Sequence, residues 1–338
     1  MDLQKIGWND FFADQCRDTP YIPGRIALVR RGHFILWTEA GECSSPGNRQ
    51  LRRGENDWPC IGDWVLLREE SSIVSVLARR TKLSRKQPGS QVGEQILAAN
   101  MDVLFIVSGL DLDYNPRRLE RYLVLAHESG ARPVLVLNKA DLCDDASGMI
   151  AEIRRISSGA PVLAMSATEG WGVSDLADCV NPGQTAALIG SSGAGKSTII
   201  NTLLGTQRQR TQRVLDAGSR GRHTTTQREL IAMPGGWLLM DLPGVRELQL
   251  WVEPGQVESS FRDIAELAQY CRFRNCTHHS EPGCAVHAAN LDESRLRSYH
   301  KLGQEAAFLA RQQDIHAALK EKRRIKAIER SIRARPLK

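Results

Sequence analysis

Five continuous apolar runs in the middle of the chain constrain its fold most. They are Val103-Leu104-Phe105-Ile106-Val107, Val134-Leu135-Val136-Leu137, Val162-Leu163-Ala164-Met165, Ala186-Ala187-Leu188-Ile189 and Trp237-Leu238-Leu239-Met240. Each is too short for a buried helix and shows no alternation, so each reads as a strand of a parallel sheet covered on both faces. Helical stretches such as 116–128 lie between them, which makes residues 94–250 a doubly wound α/β domain. Such domains bind ligands at the C-terminal ends of their strands. Polar motifs stand at four of those ends, beginning at Asn138, Ser166, Gly190 and Asp241.

The third motif, Gly190-Ser191-Ser192-Gly193-Ala194-Gly195-Lys196-Ser197-Thr198, follows an apolar run and opens a helical stretch. Glycines at this spacing let backbone N–H groups turn inward around phosphates, and the helix N-terminus adds favourable partial charge. Lys196 supplies a point charge to the β and γ phosphates, and the Ser197 hydroxyl is placed to ligand Mg²⁺. The first motif, Asn138-Lys139-Ala140-Asp141, chooses the base. The Asp141 carboxylate can accept from N1–H and the exocyclic amine of guanine, a pair that adenine lacks, so adenine is rejected. Asn138 can reach the guanine edge and tie two loops together, and the Lys139 stem can cover the base. Ser166-Ala167 completes the pocket if the Ala167 N–H faces guanine O6. At the last strand end, Asp241 would hold Mg²⁺ through water and the Gly244 N–H would meet the γ-phosphate.

Between the phosphate loop and Asp241 lies a polar, glycine-containing stretch, 218–226, with three adjacent threonines. One of them can complete the Mg²⁺ shell, and Thr225 is taken here. Val245 stands where many GTPases place a water-orienting Gln, so unaided hydrolysis is expected to be slow. His223 is a candidate catalytic residue that positions water instead; its other reading is an exposed loop histidine or an RNA contact. An ordinary GTPase presents the phosphate loop first and the base-reading motifs last, whereas here the halves are exchanged. The sequence therefore predicts a circularly permuted P-loop GTPase that uses GTP with Mg²⁺.

The flanks differ in texture. Residues 1–80 hold short runs rich in β-branched and aromatic residues, around 25–30, 34–37, 63–68 and 72–77, separated by Gly, Pro, Asn and Ser. That spacing suggests a small barrel of the oligonucleotide/oligosaccharide-binding (OB) type. Residues 81–93 are polar and basic and read as a linker. Residues 251–338 read as mostly helical around a knot, Cys271-x4-Cys276-x-His278-x5-Cys284. Three thiolates and one imidazole make a closed tetrahedral set for one structural Zn²⁺, with His279 and His287 as rival ligands. From residue 311 to the end ten basic residues face three acidic ones, while the whole chain of 338 residues carries a net charge of +6. The excess sits in the tail and marks a nucleic-acid footprint or a solvated helix face. No apolar run approaches the roughly 20 residues of a membrane span. No secretory signal opens the chain, so a cytoplasmic protein without disulfides or membrane contact is expected.

Together these pieces resemble the ribosome small-subunit-dependent GTPase A (RsgA) family over nearly the whole chain. The most specific of them are Gly221-Arg222-His223-Thr224-Thr225-Thr226 and the zinc spacing. The resemblance implies a monomer that binds GTP and GDP, one Zn²⁺, the 30S subunit and its 16S rRNA. It further implies a late-acting assembly factor that leaves after subunit-stimulated hydrolysis, with His223 as the proposed catalytic residue. Leu242 departs from the family's usual Thr, at a position expected to point away from phosphate.

Overall fold

A computed structural model describes residues 1–17, 19–30, 32–47, 58–68, 72–87, 93–206, 228–242, 251 and 255–333, with side chains to residue 315. The strands are β1 (Ile22–Arg30), β2 (His33–Thr38), β3 (Gly41–Pro46), β4 (Trp64–Leu67), β5 (Ile73–Val76), β6 (Lys82–Lys86), β7 (Glu94–Ala99), β8 (Val103–Gly109), β9 (Arg132–Asn138), β10 (Val162–Ala164), β11 (Thr185–Gly190), β12 (Arg228–Ala232) and β13 (Leu238–Asp241). The helices are α1 (Asp10–Ala13), α2 (Pro116–Ser129), α3 (Ala146–Ile156), α4 (Val173–Ala177), α5 (Lys196–Leu204), α6 (Gln256–Ser259), α7 (Arg262–Ala268), α8 (Ala285–Ala288) and α9 (Glu293–Arg333).

All five apolar runs form strands of one sheet, ordered β10-β9-β8-β11-β13-β12. The first five are parallel and β12 is antiparallel to β13. Every residue of β8 and β11 is buried, because α2 covers one face of the sheet while α4 and α5 cover the other. This is the spatial order of a P-loop GTPase whose chain starts at β8 instead of at the phosphate-loop strand β11. The right neighbours meet, and only the connections differ.

The sheet continues past β12 into the N-terminal strands. β1 pairs with β12 through Leu28 and Val29, with β2 along most of its length, and with β4 through residues 22–25. β3 extends β2, and β5 extends β4. A small core of Ile26, Phe34, Leu36, Val65, Leu67 and Ile73 lies inside this curl. β3 was not legible in the sequence, because Gly-Glu-Cys-Ser-Ser-Pro has no β-branched or aromatic residue.

The expected linker is a correction. Residues 82–86 pair with 94–99 as a hairpin, with Leu83 and Leu97 buried in the main core. Lys82 faces Glu94 at 2.7 Å. The stretch looked like a linker because its outward face is basic, while Leu83 and Ser84 are turned inward. The first helices after β13 are short: α6 and α7 are separated at Ser260 and Phe261, both fully buried. Among the described residues no helix is long and apolar enough to cross a membrane.

Candidate nucleotide site and metal knot

The strand ends of β9, β10, β11 and β13 lie on one edge of the sheet and bring the four motifs together. At β11 the chain leaves through Gly190 (φ +149°) and enters α5 through Gly195 (φ +95°). Both turns depend on the absence of a side chain. A Cβ on Gly190 would stand 2.2 Å from the Val107 carbonyl oxygen, and one on Gly195 would stand 2.1 Å from Asn138 Nδ2. Lys196 Nζ donates to the Gly190 carbonyl at 2.8 Å and the Ser191 carbonyl at 2.6 Å, which holds the ammonium over the loop. Ser192, Gly193, Ser197 and Thr198 keep solvent-accessible surface around it, while Ala194 is buried.

Asn138 is 2% exposed and joins two loops. Its Nδ2 donates to the Ala194 carbonyl at 2.9 Å, and its Oδ1 accepts from the Ala167 N–H at 3.0 Å. The Ala167 N–H, expected to face a guanine O6, is thus turned to Asn138 in this structure, since the carboxamide lies between the two loops. Ser166 is fully buried and its hydroxyl accepts from the Glu169 N–H, and Thr202 of α5 donates to the Ala167 carbonyl. Lys139 has a left-handed backbone (φ +64°), which sends its side chain back across the loop to Asp111 Oδ2 at 2.6 Å. Asp141 follows on a short 3-10 turn and is exposed at the rim, free to meet a base. Asp241 ends β13, in register with Glu229 of β12, and Leu242 beside it is buried. His223, Thr225 and Gly244 lie outside the described residues.

Two carboxylates escaped the sequence reading. Asp111 and Asp113 sit in the loop after β8, the one strand end to which no motif was assigned. Partial burial pushes the Asp111 carboxyl up, but hydrogen bonds from Lys139 and the Asp113 N–H outweigh it and leave it below the usual carboxylate value. Asp113 accepts from the Ser191 hydroxyl and pairs with Arg118 of α2 at 2.6 Å. The strand-end rule that located the other motifs would also have pointed to this loop.

The knot brings its four expected ligands together. The ligand atoms of Cys271, Cys276, His278 and Cys284 all lie within 4.8 Å of one another. Cys271 and Cys284 Sγ are 3.9 Å apart, and His278 Nδ1 is 3.6 and 3.5 Å from them. Zinc bonds of ~2.3 Å to sulfur and ~2.0 Å to nitrogen at tetrahedral angles require separations of roughly 3.8 and 3.5 Å, so Cys271, His278 and Cys284 fit as they stand, with Cys276 within 4.8 Å of them. The rivals are turned elsewhere: His279 stacks on His300 at 3.9 Å, and His287 Nε2 meets the His279 carbonyl. Glu281 accepts from the Thr277 hydroxyl and from the N–H groups of Thr277, His279 and Ser280, which orders the turn; the Thr277 bonds, hydroxyl first, hold its carboxyl far below the usual range.

This region docks on α2 through ion pairs. Arg295 reaches Asp263 at 2.6 Å and the fully buried Glu120 at 2.7 Å, and Arg121 grips Glu305 through two bonds of 2.7 and 2.8 Å.

A phosphate loop, an N-K-x-D base reader and an acidic strand end, set on a sheet whose neighbours are native to a P-loop GTPase but whose chain order is exchanged, define a circularly permuted GTPase. The sequence profile of the RsgA GTPase family matches residues 76–251, and a profile described as 50S ribosome-binding GTPase matches residues 185–326. The chain is 46% identical, over 359 aligned residues spanning 99% of it and 98% of the relative, to the small ribosomal subunit biogenesis GTPase RsgA of Opitutus terrae. It is 50% identical over 298 residues, 85% of each chain, to the protein of the same name from Xylella fastidiosa. Among solved structures, YjeQ from Thermotoga maritima superimposes with a TM-score of 0.63 at 24% identity, covering 85% of this chain and 99% of that one. YloQ, described as a circularly permuted GTPase, superimposes with a TM-score of 0.59 at 22% identity, covering 85% and 95%. The chain belongs to the RsgA GTPase family.

Proposed function

We propose that this GTPase matures the small ribosomal subunit: it binds 30S particles and their 16S rRNA late in assembly, hydrolyses GTP when the subunit stimulates it, and then leaves. The observation that carries this reading is the joining of a guanine-nucleotide site to a Cys₃His region through α2, with α9 leading into a basic tail. Three units do separate work: an OB-like barrel over 1–80, the GTPase over 94–250 and a zinc-binding helical region over 251–338. The strand order β3-β2-β1-β4-β5, curled around its own small core, supports the OB-like reading. The protein acts as a cytoplasmic monomer.

Within the site, Asp141, Asn138 and Lys139 read and cover guanine while Ser166 and Ala167 close its far edge. Backbone N–H groups from Ser191 to Ser197 cradle the phosphates, and Lys196 leaves its carbonyl partners for the β and γ oxygens. Ser197, Thr225 and Asp241 would hold Mg²⁺, whose charge would offset that developing on those oxygens. The Gly244 N–H meets the γ-phosphate, and His223 orients the attacking water. Zinc held by Cys271, Cys276, His278 and Cys284 supplies the crosslink that a region with little core needs.

The test is steady-state GTP hydrolysis with and without purified 30S subunits, with 50S as the control. Stimulation of at least about tenfold by 30S alone is expected, the range in which a completed phosphoryl-transfer site acts. A flat rate would instead favour a GTP-sensing RNA scaffold, a reading to which Val245 in place of a water-orienting Gln lends support.

A further inference from the structure

The N-terminal segment, Arg25 of β1, Asp102 just before β8 and Thr185 at the start of β11 line an open cavity of about 270 Å³. It lies at the opposite end of β11 from the phosphate loop, roughly 17 Å away at the rise of an extended strand. Trp8, Arg25, Arg80, Asp102 and Thr185 are part of its wall.

Arg25 is 1% exposed; among the described residues it donates to the main-chain carbonyls of Ile6, Gly62 and Asn100 and lies 5.7 Å from the Trp64 ring centroid. A guanidinium has five N–H groups, so part of its capacity is unspent. Among the described residues no carboxylate forms an ion pair with it. Desolvation by burial brings its pKa down to about 10, and Asp102 and Asp63 oppose this only at longer range. Asp102 is already committed: one oxygen pairs with Arg80 at 2.6 Å and the other accepts the Thr185 N–H at 2.8 Å. The charged lining is therefore two guanidiniums against one carboxylate. Thr185, also 1% exposed, has a buried hydroxyl with no partner.

A buried cation without an ion-pair partner among the described residues and an orphan buried hydroxyl are each costly, and one ligand satisfies both. We propose that this cavity is a second binding site, for a small monoanion whose carboxylate or phosphate head takes hydrogen bonds from Arg25 and Thr185 while its body lies against Trp8. The volume is below the usual span of pockets for drug-sized ligands, so the ligand is metabolite-sized, smaller than a nucleotide.

The experiment uses the full chain saturated with GDP and Mg²⁺, so that the phosphate loop is filled. Sodium phosphate and sodium benzoate are titrated separately against sodium chloride at matched ionic strength, with thermal unfolding and tryptophan fluorescence as readouts. Thr185→Val keeps the buried branched shape and removes only the hydroxyl; Arg25→Lys is the harsher second variant. One or both anions should stabilise the native chain beyond chloride, with half-saturation about tenfold weaker in Thr185→Val, as expected for a lost charge-assisted hydrogen bond. A response to phosphate alone would assign a phosphate head, and to benzoate alone a carboxylate. No stabilisation beyond chloride by either, or equal stabilisation of native chain and Thr185→Val, would overturn the proposal.

Discussion

The nucleotide site and the metal knot are both loops held in place, but by opposite means. Asn138 is fixed by a partner 56 residues away, and Ser191 by one 78 residues away, on a sheet whose central strands are wholly buried. The knot draws its four ligands from residues 271–284 and depends on a local turn organised by Glu281. One site is positioned by the packing of the whole domain, the other by a few bonds between near neighbours. Packing tolerates the loss of any one contact; a four-ligand crosslink does not.

The sharpest way to break that comparison is to remove the crosslink. Cys284→Ser, or chelation of the zinc we propose, should abolish hydrogen-exchange protection across 271–288, because structural zinc is worth ~10 kcal/mol or more to a small module. GDP affinity should stay within about twofold if the sheet positions its own site. A parallel loss of GDP binding would show the two regions to be one unit. Next in size is Asp141→Asn, which leaves the guanine donors facing a donor. GTP affinity should fall about a thousandfold and xanthosine triphosphate should gain, with metal content unchanged, since a buried polar mismatch is strongly rejected. Unchanged GTP affinity would mean that Asp141 does not read the base.

Arg295→Leu tests the junction between the regions. It leaves the fully buried Glu120 with Arg117 as its remaining partner and breaks the 2.6 Å pair with Asp263. Losing a charge-assisted bond to a buried carboxylate that keeps a second partner costs about 1.5–3 kcal/mol, so thermal unfolding should broaden toward two transitions; a single unshifted transition would contradict the docking of this region on α2. The smallest effect belongs to Asp111→Asn. With Lys139 released from its carboxylate, GDP and GTP should both bind a few fold more weakly, about 1 kcal/mol for one partly exposed pair. A change confined to GTP would place Asp111 on the phosphate side instead.

The apolar runs foretold the sheet because buried parallel strands need unbroken hydrophobic residues, and the motifs foretold which loops meet at one sheet edge because each follows the end of such a run. What escaped reading lacked such a local signature. β3 has no strand-forming residues and is held by its ladder to β2 and by Cys43 packing on the small core. The 82–99 hairpin disguises one buried leucine among lysines and arginines. Asp111 and Asp113 act through partners on β9, β11 and α2, so their roles exist only once the chain has closed. For the knot the ligand spacing was legible, but the choice of His278 over His279 and His287 came from the turn, where His278 takes a left-handed backbone (φ +60°).

The ladder that joins β1 to β12 pairs Leu28 with Glu229, residues about 200 apart in the chain. On a translating ribosome, at ~5–20 residues per second, the edge of β1 would wait roughly 10–40 seconds for its partner to emerge. An unpaired strand edge invites wrong pairing. β12 cannot simply be placed earlier, because it follows the phosphate loop in the permuted order. We therefore expect stalled nascent chains ending before residue 229 to show a protease-sensitive β1, and chains released after it to lose that sensitivity; equal protection in both would refute the late closure. Exchanging the halves of the domain thus also exchanges the timetable of its folding, with the base-reading strands made first and the N-terminal sheet edge sealed near the end.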